Sequence, residues 1–342
     1  DRNRDYALDG ADGPYLFYND EQNSVGIISV GIDNKLKAQK KAKLSSIEVV
    51  VNKDIRFRVP LKSAIELEEK SIWEDPEKIF AVSDIEGNFN SFASLLQSNG
   101  VIDNKFCWNF GKGHLVLNGD FVDRGNQVTQ VLWLIYKLEQ EAKQEGGKVH
   151  FILGNHELMN LRGDLRYNAE KYKALAQKLK LNQKGLFIKK TELGRWLRTK
   201  NVIEKVGDHL FVHGGISDSL LQAGLSTDQI NAEARTLFNP THMDLSNEAK
   251  LLYGRFGPLW YRGMVRDYKY YSKLPGAIVD QVLNVYNSAG IIVGHNVVEA
   301  VSTDYNGKVI RIDVDHRKTP QALLIENNEM YSVNQDGKRT LL

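Results

Sequence analysis

Two short blocks carry most of the chemically capable side chains in this sequence: Asn118-Gly119-Asp120-Phe121-Val122-Asp123-Arg124-Gly125 and Gly154-Asn155-His156-Glu157. Asp84, His213 and His295 add a carboxylate and two imidazoles, and each of them also follows a short apolar run. Carboxylate, amide and imidazole ligands together suit borderline divalent metals such as Mn, Fe or Zn. One bridging carboxylate with separate ligands on either side describes a pair of ions about 3.5–4 Å apart. Asp120 is the natural bridge, because its loop falls between those of Asp84 and Asn155. Arg124 and Arg262 offer planar guanidinium groups that match the edge of a phosphate. His156 is the candidate to protonate a leaving oxygen, with the Asp123 carboxylate orienting it. Gly125, Gly154 and Gly214 permit the tight turns that such loops need. Taken singly, each of these residues reads as an ordinary cap, turn or surface charge. Their order and their shared place after strands make the set informative.

The elements that must hold these residues follow from hydrophobic periodicity. Ile79-Phe80-Ala81-Val82, His114-Leu115-Val116-Leu117 and Val149 to Leu153 read as short buried strands. Helical patterns over Phe89 to Gln97 and Gln127 to about Glu145 separate them. Asp84, Asp120 and Asn155 lie about 35 residues apart, a comfortable length for βαβ units of roughly 30 or more. Right-handed crossovers then put their three loops along one sheet edge, where open α/β sheets place their chemistry. Four further strands are expected at Leu210–His213, Ile291–Val293, Val309–Ile312 and Ala322–Ile325, with an edge strand at Glu329–Val333. Before Lys78 the strand signals come without helices: Val25–Ile32, then Ile47–Val51 and Ile55–Val59 as a hairpin. Residues 1–75 are therefore expected to form a small N-terminal antiparallel β appendage, and residues 76–342 the catalytic domain. The basic run Lys35 to Lys43 reads as a solvated loop, and residues 164–205, helical and Lys-rich, as a solvated lid.

Composition bounds the reading. With 342 residues the chain can bury a sizeable core. A formal charge of +2, from 45 basic and 43 acidic residues, gives no reason to expect nucleic acid or a membrane as partner. No apolar run reaches the roughly 18 residues of a membrane span. Cys107 is the single cysteine, flanked by Phe106 and Trp108, and is expected as a packed thiol. The chain opens at Asp1. A cleaved export signal would place the protein in the periplasm or outside; a simple chain boundary would leave it cytoplasmic.

Gly-Asp-x-Val-Asp-Arg-Gly and Gly-Asn-His-Glu, with the later His213-Gly214-Gly215 and Gly294-His295, resemble the defining motifs of the phosphoprotein phosphatases. These belong to the calcineurin-like metallophosphoesterases, and the likeness extends over about residues 78–316. Leu259-Trp260-Tyr261-Arg262 is similar to a motif of the Shewanella-like phosphatase branch, and the N-terminal β appendage is similar to that of its bacterial tyrosine phosphatases. The resemblance implies an α/β fold, a central β-sandwich flanked by helices. It also implies two divalent ions (Mn, Fe, Zn, Mg or Ca) and no other cofactor. Asp84 would bind metal one, Asp120 would bridge, and Asn155, His213 and His295 would hold metal two. His156 would be the general acid with Asp123 behind it, and Arg124 and Arg262 would hold phosphate.

The implied reaction is hydrolysis of phosphomonoesters in proteins or peptides, preferably phosphotyrosine, by in-line attack of a water shared between the ions. Phosphoserine and phosphothreonine, or dinucleoside polyphosphates, are alternative substrates for the same site. A phosphate-binding module without turnover is a third reading. Phe121, Trp260 and Tyr261 are either the wall that stacks on a phenyl ring or part of the core. One departure stands out. Where the family has Gly-Asp-x-His-Gly, this chain has Ser83-Asp84-Ile85-Glu86-Gly87. Glu86 is expected to ligate metal one in place of the histidine, to favour Mn, Mg or Ca there, and to push the pH optimum alkaline.

Overall fold

The computed structural model describes residues 6–19, 21–63, 69–181, 185–238 and 245–342. The chain begins with an antiparallel sheet of β1 (Asp12–Asn19), β2 (Ser24–Val30) and β3 (Leu36–Lys41). A hairpin of β4 (Ser46–Val50) and β5 (Arg56–Pro60) follows, then the two-residue strand β6 (Ile72–Trp73). Strands and helices alternate through β7 (Lys78–Val82), α1 (Phe89–Ser98), β8 (His114–Asn118), α2 (Val128–Gln144) and β9 (Lys148–Ile152). Next come α3 (Asn155–Leu161), α4 (Glu170–Lys178), α5 (Glu192–Leu197) and the antiparallel pair β10 (Ile203–Val206) and β11 (His209–Val212). Helices α6 (Asp218–Gln222), α7 (Thr227–Thr236), α8 (Asn247–Tyr253) and α9 (Gly276–Val285) lead to β12 (Gly290–Val293), β13 (Ser302–Asp304) and β14 (Val309–Arg311). The chain closes on β15 (Gln321–Glu326), β16 (Glu329–Asn334) and β17 (Arg339–Leu341).

Two six-stranded sheets form the centre, one in the order β17-β16-β15-β7-β8-β9 and the other β13-β14-β12-β11-β10-β6. Alternation along the strands decides which side chains meet between them. Ile79, Ala81 and Val116 from the first sheet pack on Val206, Phe211, Ile292 and Ile310 from the second. Their neighbours Phe80, Val82, Leu115 and Leu117 point the other way, into the core beneath the helices. In the first sheet β7, β8 and β9 run parallel, so Asp84, Asp120 and Asn155 leave it at one edge. In the second, β11, β12 and β14 run parallel and deliver His213, His295 and Asp313 at their ends. Asn118 ties the two ends together, its Nδ2 donating to the Val212 and Ile292 carbonyls at 3.2 Å each. The site is built where both sets of strand ends converge.

The N-terminal strands cover α2. The first three turns of that helix, Val128 to Leu138, are buried on every face, as their nearly all-round apolar sequence requires. Trp133 donates from Nε1 to the Pro14 carbonyl at 3.0 Å, and Gln130 donates to the Ala11 carbonyl. Phe17 forms a β-bridge with Thr191. Three expectations change here. Lys35 to Lys43 is largely the edge strand β3, because pairing with β2 satisfies its backbone on one side while its lysines stay in water. Among the described residues between 164 and 205, α4 and α5 are packed: Tyr172, Leu175, Trp196 and Leu197 are buried, so these helices are a layer of the core rather than a solvated lid. The edge of the first sheet is β17, which pairs outside β16.

Candidate active site

The loops after β7, β8 and β12 are held in a conformation that L-residues rarely adopt. Asp84, Glu86, Asp120, Asp123, Arg124 and His295 all have positive φ, between 49° and 72°. Such residues cost on the order of 1 kcal/mol or more each and persist only where neighbours fix them. Here the loops fix one another. Asp84 N–H donates to the Gly119 carbonyl at 2.9 Å, Glu86 N–H to Asp120 at 3.0 Å, and Gly125 N–H to Glu86 at 2.9 Å. The close approach is what Gly154 and Gly125 allow. A Cβ at Gly154 would lie 2.2 Å from Asp120 Oδ1, and one at Gly125 would lie 2.3 Å from the Glu86 carbonyl oxygen.

Glu157 completes the clamp, a role that sequence reasoning left unassigned. Its fully buried carboxylate accepts from the backbone N–H groups of Asp120 (2.9 Å), Phe121 (2.8 Å), Val122 (3.2 Å) and Gly154 (2.8 Å). Burial and the Asp120 charge raise its pKa to about 7, against the Asp120, Gly154 and Phe121 N–H donors. The signal was available, because Glu157 is the third residue of α3, where a capping carboxylate belongs.

Inside this frame Asp120, His213 and His295 bring one ligand atom each within 4.8 Å of one another, all buried. His213 Nδ1 donates to the Asn118 carbonyl at 2.9 Å, which leaves Nε2 facing Asp120 Oδ2 and Asn155 Oδ1, each at 3.1 Å. That is the arrangement of a metal-ligating histidine with its tautomer fixed from behind. His295 Nε2 is buried without a hydrogen-bond partner. Asp84 Oδ2 accepts from His295 N–H at 3.1 Å, and its side chain lines the same cleft as Asp313.

Electrostatics point the same way. Burial raises Asp84 to about 6, with Asp120 repelling it and His213 attracting it. His213 is carried to about 10, since Asp120 and Asp84 outweigh the burial that would lower it. Burial and then the charge of Asp84 push Asp313 well above the carboxylate range. Clustered carboxylates and an unpartnered imidazole nitrogen fit a divalent cation. Asp313 satisfies the strand-end rule that singled out the others, directly after Val309–Ile312, and was overlooked.

Beside the cluster, His156 Nδ1 donates to Asp123 Oδ2 at 2.6 Å, and its Nε2 lies 3.8 Å from Asp120 Oδ2. Burial opposes the imidazolium, but Asp120 and the Asp123 hydrogen bond hold the His156 pKa above its usual range. Asp123 also accepts from Asn160 Nδ2 at 3.0 Å and from Asn168 Nδ2. Asn160 sits one turn after His156 on α3 and was legible as such, whereas nothing local marks Asn168. Arg124 Nη2 lies 3.4 Å from His156 Nε2. Arg262 is anchored by donation to the His295 carbonyl (2.7 Å) and Asn296 Oδ1 (3.1 Å).

The Glu86 carboxylate pairs with the Arg124 guanidinium, an attraction that the neutral histidine of the motif would lack. Phe121 and Tyr261, at 0% and 3% exposure, belong to the core and cannot wall a pocket. Trp260 packs edge-on against His295, ring centroids 6.1 Å apart. The open side of the site is a cleft of about 360 Å³, lined by Asp84, Glu86, Arg124, Asn126, Asp313 and His316 among others.

Residues 77–299 match the calcineurin-like phosphoesterases, and the chain belongs to that family of phosphatases. Its relatives include Shewanella-like protein phosphatase 2 of Arabidopsis thaliana, 27% identical over 72% of this chain and 73% of that protein. Shewanella-like protein phosphatase 1 of Plasmodium berghei is 30% identical over 64% of this chain and 60% of its own length. Among solved structures, the cold-active protein-tyrosine phosphatase of a psychrophilic Shewanella species superposes with a TM-score of 0.88. It is 33% identical and covers 97% of this chain and 99% of its own.

Proposed function

We propose that the chain is a metal-dependent phosphoprotein phosphatase that prefers phosphotyrosine. The observation that carries this is the junction of a buried ligand cluster, Asp120, His213 and His295, hydrogen-bonded to Asn155 and Asp84, with an acid dyad, His156–Asp123, across Asp120. Asp84, Asp120, Asn155, His213 and His295 would hold two divalent ions, which would supply Lewis acidity toward an attacking water and the phosphoryl oxygens. The chain's own groups do the rest. Arg124 and Arg262 bind non-bridging phosphate oxygens in planar, charge-assisted contacts. Arg124 exchanges its Glu86 partner for the phosphate. His156 delivers a proton from Nε2 to the ester oxygen as the P–O bond breaks, and Asp123 stabilises the imidazolium that precedes transfer. Asn160 and Asn168 hold Asp123 in line.

Preference for phosphotyrosine is supported by the near full-length likeness to the Shewanella tyrosine phosphatase and by exposed aromatic rings at the site. Peptides of one sequence carrying phosphotyrosine, phosphoserine or phosphothreonine, assayed in parallel with several divalent metals, test it. The phosphotyrosine peptide is expected to be turned over fastest, and comparable rates on all three would sink the preference.

A further inference from the structure

A general acid must touch the oxygen that leaves, so whatever packs beside His156 is next to the leaving group. In this protein the aromatic ring packed beside His156 is that of Tyr167. Its ring centroid lies 5.1 Å from that of His156 and 5.9 Å from the Arg124 guanidinium carbon. The residue is 46% exposed. Its position is set from two sides. Arg124 N–H donates to the Tyr167 carbonyl at 3.0 Å, and the adjacent Asn168 amide is hydrogen-bonded to Asp123 and, at 3.0 Å, to Asn160 Oδ1. A ring held this way loses little freedom when a second ring packs on it. Tyr268, 42% exposed and 5.5 Å from the Arg262 guanidinium, flanks the other arginine but not the acid.

We propose that Tyr167 is a specificity-determining residue whose ring packs against the aryl group of a phosphotyrosine substrate. The proposal rests on the reading of the site as a phosphatase with His156 as its acid. In a phosphotyrosine the ester oxygen is bonded directly to the ring, so protonation by His156 brings that ring beside Tyr167. A phosphoserine places only a methylene there. An offset or edge-to-face aromatic pair favours the aryl ester by about two- to tenfold.

The test is the ratio of kcat/KM on phosphotyrosine and phosphoserine peptides of one sequence, measured for the intact protein, Tyr167→Ala and Tyr167→Phe. A ratio cancels differences in the amount of active protein. It is expected to fall by about two- to tenfold in Tyr167→Ala and to hold in Tyr167→Phe. An unchanged ratio in Tyr167→Ala, with both substrates spared or both losing equally, would overturn the proposal while leaving the phosphatase reading standing. No turnover of either peptide by the intact protein would overturn that reading and the proposal with it.

Discussion

At the scale of single residues, the site depends on a few buried acids doing different work in nearly the same place. Asp123 serves the proton on His156. Replacing it with Asn removes the hydrogen bond and charge that raise the His156 pKa, so the imidazole gives up its proton at lower pH. Activity that needs protonated His156 is lost as pH rises through that pKa. The alkaline limb of the kcat/KM profile is therefore expected to move down by about one pH unit in Asp123→Asn. An unmoved limb would contradict the dyad. His156→Ala is expected to lower kcat by about 10²–10⁴-fold on an alkyl phosphate, and less on p-nitrophenyl phosphate, whose leaving group needs no acid. Equal losses on both would mean His156 acts otherwise. Glu86 was legible as a departure from the family motif, but its consequence was not. The substitution was visible in sequence; the Arg124 guanidinium across the loop was not. Glu86→Gln is expected to leave metal content unchanged and to tighten inhibition by inorganic phosphate, because Arg124 is freed; loss of an ion would restore Glu86 as a ligand.

At the scale of elements, periodicity found the strands and helices that position the site. Short strands ending in Asp84, Asp120, Asn155, His213 and His295 were all recognisable because each is an apolar run stopped by a polar turn. Elements whose burial comes from partners far along the chain were not. Strand β3 has six exposed residues and exists only through its ladder with β2. Strand β6 is two residues long and exists through β10. The 164–205 segment reads as polar because its buried residues are interspersed with lysines, two of which, Lys171 and Lys200, are themselves buried and paired. Helix α2 is where the N-terminal strands are joined to the rest. Trp133→Ala removes a fully buried indole and its bond to the Pro14 carbonyl, and is expected to cost about 3–5 kcal/mol in urea unfolding. A change under 1 kcal/mol would show that the N-terminal layer contributes little to the core.

At the scale of the whole molecule, two sheets fold so that the ends of parallel strands from both face one space, and the carboxylates gathered there repel one another unless a cation joins them. Stability should therefore report on metal. In the metal-free protein Asp84 is raised from 3.8 to about 6 and His213 from 6.5 to about 10, so the folded state holds protons that the unfolded state releases. Stability contributed by His213 is complete below pH 6.5 and lost toward pH 10; that contributed by the raised Asp84 pKa is complete below about pH 4 and lost by about pH 6. Chelated protein is thus expected to melt at progressively lower temperature as pH rises across this range. The most direct measurement of the central claim is the metal content of purified protein alongside its phosphatase turnover, before and after chelation and for Asp120→Asn. The account predicts two ions per chain, turnover lost with them and regained on adding them back, and at most one ion in Asp120→Asn. Undiminished turnover by chelated protein with negligible bound metal would contradict it.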